Sequence, residues 1–93
     1  MFEFENYIDD LAKDALGENR FWELLQILED VPNGHCGVEL YHRTIPMVLA
    51  KRGVVPKKTY VDTYGMPNDD GKQAASLEQQ EVIRKALKKA GYL

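Results

Sequence analysis

Several things are scarce in this chain of 93 residues, and each scarcity removes a class of protein. There is one cysteine, Cys36, so no internal disulfide can form. With only two histidines beside it, a tetrahedral zinc site has too few nitrogen and sulfur ligands. No run approaches the roughly 18 to 20 consecutive apolar residues that a membrane-spanning helix needs. The opening MFEFENYIDD carries acid where a secretory signal carries base, and it lacks an apolar core and a small-residue cleavage site. These absences give the expectation of a cytoplasmic protein without cofactor, metal or membrane partner. The glycines fit no phosphate-cradling spacing: GxxxxGK[ST], GxGxxG and GxSxG are all missing.

What is present is an ordinary globular composition, 44% hydrophobic and 29% charged, with an uneven distribution of charge. Residues 1–34 hold nine acids and two bases, whereas residues 35–93 hold six acids and ten bases, so a net charge of −3 conceals a polar chain. The length suits one domain with one core, read as residues 1–93, and leaves little room for a deep catalytic cavity. Small chains without disulfides or metals often gain stability from association, which keeps a homo-oligomer open.

Along the chain, Phe4, Tyr7, Ile8, Leu11, Ala15 and Leu16 recur at helical spacing, and Gly17 follows as a stop, predicting a helix over about 4–16. Glu3, Glu5, Asp9 and Asp10 in its first turns suit the positive end of the helix dipole. Asn19 reads as the N-cap of a second helix over about 20–30, whose apolar residues Phe21, Trp22, Leu24, Leu25, Ile27 and Leu28 cover more than one face. Such a helix is either central or gives one face to a partner. Pro32, Asn33 and Gly34 end it in a turn.

Val38, Tyr41, Ile45, Val48 and Leu49 form a helical stripe that Pro46 interrupts. The reading is a short helix or turn over 38–43 running into a helix capped by Thr44, with Pro46 in its first turn, where proline is tolerated. For 57–64, alternating Thr59, Val61 and Thr63 argue for a strand paired with 38–43, and a short helix between Pro56 and Gly65 is the alternative. Residues 66–72 are a loop by composition. Ser76 with Gln79 reads as a capping box for a last helix in which Leu77, Ile83, Ala86, Leu87 and Ala90 face inward, Glu81 pairs with Lys85, and Gly91 is the stop. The fold class is therefore mostly α, a three- to four-helix domain with room for a two-stranded β-ribbon from 38–43 and 59–64, and α+β as second choice.

Candidate chemistry is thin. His35, Cys36 and His42 lie close in sequence, but no cysteine-enzyme signature surrounds Cys36, and His42 reads as a surface or capping residue. Asn68, Asp69, Asp70 and Gly71 bring oxygen ligands to a turn without the spacing of a calcium loop. Lys51, Arg52, Lys57 and Lys58 bracket Pro56, with Tyr60 and Tyr64 just beyond, the mixture of cations and rings that a nucleic-acid or phosphate contact uses. A pI near 5.3 weighs against that use. Asp9, Asp10, Asp14 and Glu18 form an acidic candidate surface for a basic partner protein. Subtracting charges that helix dipoles account for leaves Asp14, Glu18, Glu23, Glu29, Lys57 and Lys58. The expected function is a small non-enzymatic protein-binding factor, inhibitor-like, immunity-like or accessory, with a nucleic-acid-binding regulator using residues 51–58 as the alternative.

Overall fold

The fold follows from how three amphipathic stripes find one another, and the computed structural model describes it for residues 3–31, 37–66 and 75–93. Helix α1 (Glu3–Leu16) buries Phe4, Ile8 and Ala12, one residue per turn on one face. Gly17, at φ 87°, takes a left-handed conformation that glycine tolerates without strain and hands the chain to α2 (Glu18–Glu29). The turn is tighter than the sequence suggests: α2 begins at Glu18, so Asn19 lies inside the helix and caps nothing. Phe21, Leu24 and Leu28 pack against α1, while Trp22 stays 52% exposed.

Residues 37–51 form one continuous helical stretch: α3 (Gly37–Glu39), a π-helical turn (Leu40–Thr44) and α4 (Ile45–Lys51). Residues 38–43 are thus helical and run into the next helix, as their spacing predicts, and do not form the ribbon strand. Thr44 does not cap a fresh helix either; its backbone is helical and its side chain makes no capping bond. The π-turn explains how Pro46 is accommodated. Ile45 donates its N–H to the Leu40 carbonyl, five residues back, so the widened turn comes just before the residue that has no N–H to give. Ile45, Val48 and Leu49 are buried, and Leu40 nearly so.

Between 57 and 64 the helical alternative holds. The Thr59 hydroxyl accepts from the Asp62 N–H at 3.0 Å and the Asp62 carboxylate accepts from the Thr59 N–H at 3.1 Å, a reciprocal capping box that starts α5 (Tyr60–Tyr64). Gly65, at φ 81°, ends it. Among the described residues there is no strand, and the β-ribbon is not formed.

Helix α6 (Leu77–Lys89) opens on Ser76, whose hydroxyl accepts from the Gln79 N–H at 3.1 Å. Ile83 and Leu87 are buried against α2, with Ala86 and Ala90 packed at the margin. Leu77 departs from its expected inward place: it is 83% exposed at the first position of the helix. Glu81 pairs with Arg84, not Lys85. Beyond Gly91 the chain returns to the core. Tyr92 is fully buried, its hydroxyl donating to the Arg20 carbonyl at 2.8 Å at the start of α2. The buried residues of all these stretches except α5 form one contiguous cluster. Among the described residues no helix is long and apolar enough to cross a membrane.

Candidate functional site

The acidic and basic sets read from the sequence meet different fates. On α1, Asp10 and Asp14 are exposed one turn apart, and Glu18, at the first position of α2, continues the acidic surface past Gly17. Asp9 does not belong with them. It is half-buried, and the Tyr41 hydroxyl donates to its two oxygens at 2.9 and 3.1 Å, tying α1 to the π-turn. Burial pushes the Asp9 carboxyl above its ordinary range, against the lowering effect of the Tyr41 bond. The same burial, with the facing carboxylate, drives the Tyr41 hydroxyl well above the usual phenol range.

Trp22 completes the acidic surface, and the sequence reading gave it no role. It lies one turn after Glu18 on α2, and the Lys13 ammonium from α1 sits 5.1 Å from the centre of its ring. Its edge packs on Phe21 at a centroid distance of 5.2 Å, which holds the indole in place while half of it faces water. The combination is a positioned, half-exposed aromatic on a pair of helices that also expose Asp10, Asp14 and Glu18.

The basic set is divided. Arg52 is structural: its Nη1 donates to the Val48 carbonyl at 3.2 Å and to the Tyr92 carbonyl at 3.0 Å, closing the end of α4 and fastening the returning chain. Its guanidinium also lies 5.9 Å from the Tyr92 ring. Tyr60 and Tyr64 both place an edge on Phe4 at about 6 Å. The Tyr64 hydroxyl donates to Glu5 at 2.6 Å, and that bond pushes its pKa up to about 12. These rings fasten α5 to α1, Tyr60 partly covered and Tyr64 still 45% exposed. Lys51, Lys57 and Lys58 remain exposed, and the Lys57 N–H donates to the Tyr7 hydroxyl at 2.7 Å, so the backbone of this segment is anchored.

His42 is neither a surface nor a capping residue. It stands inside the π-turn, half-buried, its ring 5.7 Å from Tyr60 and its Nδ1 buried without a hydrogen-bond partner among the described residues. Burial lowers its pKa, and the neighbouring Arg43 lowers it further, against the opposite pull of Glu39. His35, Cys36 and the 68–71 turn lie outside the described residues. Among the described residues no group of three or more histidine, cysteine or acidic side chains could hold a metal ion.

A second polar centre escaped the sequence reading. Glu39 is 2% exposed, and Arg43 grips it through Nε at 2.9 Å and Nη2 at 3.0 Å. Glu39 also accepts the Ala75 N–H at 3.1 Å, linking the π-turn to the chain entering α6. The one available signal was the i,i+4 spacing of Glu39 and Arg43.

With this geometry in hand, comparison of the chain with protein-family models, with curated proteins and with solved structures finds no match in any of the three.

Proposed function

We propose that this protein is a non-enzymatic binding factor that acts by occupying the surface of a partner protein, docking through the α1–α2 face. The observation that carries the reading is Trp22, half exposed yet held by Lys13 and Phe21, on the two helices that also expose Asp10, Asp14 and Glu18. A rigid indole loses little conformational freedom on binding, and tryptophan is enriched among the few residues that dominate interface energy. Exposed carboxylates on the same helices would steer a basic partner and fix its orientation. The partner is accordingly a protein with an apolar recess rimmed by lysine or arginine. The nucleic-acid alternative keeps Lys51, Lys57, Lys58 and the half-exposed Tyr64, whereas Arg52 and Tyr60 are engaged within the fold.

The test is affinity capture from the source cells with the wild-type chain, a Trp22→Ala chain, an Asp10→Lys/Asp14→Lys/Glu18→Lys chain and a Lys57→Glu/Lys58→Glu chain. A protein retained by the wild type and the lysine variant, and lost from the other two, is the expected result. Capture unchanged by either α1–α2 variant overturns the proposal. Duplex or single-stranded DNA binding at low salt that Lys57→Glu/Lys58→Glu abolishes would replace it with the alternative.

A further inference from the structure

Helices α2 and α6 leave between them an open groove of about 550 Å³, lined by Ile27 and Val31 on one wall and by Val82 and Ala86 on the other. Two charges also line it, Asp30 just after α2 and Lys89 in the last turn of α6. We propose that this groove is a self-association surface: a second copy of the chain covers it about a two-fold axis, with Asp30 of each copy against Lys89 of the other.

The groove is apolar where it meets water. Val82 is 39% exposed and Ile27 is partly so, and Ala86 is short enough to let a facing helix approach closely. Asp30 and Lys89 are both exposed, and neither has an ion-pair partner among the described residues.

The charges select the occupant. Helix α2 with Asp30 carries four acids and one base, whereas α6 carries four bases and two acids. A partner segment of one sign that suits one wall is repelled by the other. A second copy satisfies both, because in a two-fold contact each wall faces its opposite. The direction of the helices fixes the register. Tyr92, just after α6, bonds the Arg20 carbonyl in the first turn of α2, so the two helices run antiparallel. Asp30 therefore lies toward one end of the groove and Lys89 toward the other, and a two-fold axis through its middle turns each end onto the other. Trp22 does not line the groove and stands about 140° around α2 from Ile27. The contact thus leaves the α1–α2 docking face open, and neither proposal depends on the other.

Sedimentation equilibrium at concentrations up to about 1 mM tests the proposal. The wild type is expected to move from the 10.6 kDa of one chain toward twice that mass as concentration rises. Val82→Lys puts a charge on the apolar wall and weakens association at least about tenfold, whereas Trp22→Ala leaves it unchanged. Asp30→Lys and Lys89→Glu each bring like charges together twice in a symmetric pair, and each weakens association about tenfold. An equimolar mixture of those two chains restores wild-type affinity, since both contacts then join opposite charges. A wild type that keeps the mass of one chain throughout overturns the proposal, as does association equal in Val82→Lys and wild type. A mixture no tighter than either single variant overturns the pairing of Asp30 with Lys89. A chain that stays monomeric yet captures another protein, with capture lost in Val82→Lys, assigns the groove to that partner and overturns the second copy.

Discussion

The α1–α2 pair and the stretch from the π-turn to α5 carry opposite charge and employ it in opposite ways. On α1 and α2, Asp10, Asp14 and Glu18 stand in water, and the apolar stripes hold the two helices together without their help. From 39 to 64, charges and rings are drawn into the fold: Arg43 onto Glu39, Arg52 onto two carbonyls, Tyr60 and Tyr64 onto Phe4. The difference follows from local apolar supply. Helix α1 and helix α2 each bury three residues, whereas α5 buries none and must be fastened by edges of rings and by hydrogen bonds. Where apolar surface is short, polar groups become structural and are lost to binding.

That contrast can be broken most severely at Tyr92. Tyr92→Ala removes a fully buried ring, its hydroxyl bond to the Arg20 carbonyl and its ring contacts with the Arg20 and Arg52 guanidinium groups, and should cost about 3 to 5 kcal/mol of stability in urea denaturation. Arg43→Met leaves the buried Glu39 carboxylate without its fork. It should cost about 2 kcal/mol, below the figure for a fully buried pair because Arg43 is 39% exposed. Arg52→Met should lower stability by about 1.5 kcal/mol, against a change within about 0.5 kcal/mol for neighbouring Lys51→Met. Equal effects at 51 and 52 would show that the basic segment is not divided as described. On the acidic side, Asp10→Lys and Asp14→Lys should each move stability by no more than about 0.5 kcal/mol while changing partner capture.

The smallest expected effect concerns pH. Because burial holds the His42 pKa below its ordinary value of 6.5, the unfolded chain takes up the proton before the native one does. Stability from this residue is therefore present at neutral pH and falls as pH drops below the unfolded value. Melting temperatures compared between about pH 7.5 and 5.5 should show a shallower decline in His42→Gln than in wild type.

Periodicity made the main helices legible. Phe4, Ile8 and Ala12, or Ile83 and Leu87, repeat at a spacing that no strand can use, and the structure keeps those faces inward. Segment 57–64 was harder, since β-branched residues at alternate positions mimic a strand. The deciding signal was Thr59 with Asp62, a capping pair three residues apart that outweighs composition in a piece this short. The π-turn could not be read from spacing, because its extra residue per turn blurs the stripe on either side of Pro46. At the site, exposed Asp10, Asp14 and Glu18 followed from position on their helices. The capture of Arg52 by Tyr92, 40 residues away, depends on tertiary closure and left no local trace, and periodicity left open whether Trp22 faced the core or a partner.

The bond between Tyr92 and Arg20 joins residues 72 positions apart. Closing so long a loop is entropically opposed until nearer contacts have formed, and each doubling of loop length adds only about 0.6 kcal/mol, so the cost lies chiefly in the order of events. The α1–α2 hairpin and the 37–51 stretch are built from contacts between neighbours in sequence, so α6 is expected to dock after them. On that expectation Tyr92 acts as a latch that closes late in folding and opens early. Amide protons of α6 should accordingly exchange as one unit, earlier than those of α1 and α2, in native-state hydrogen exchange.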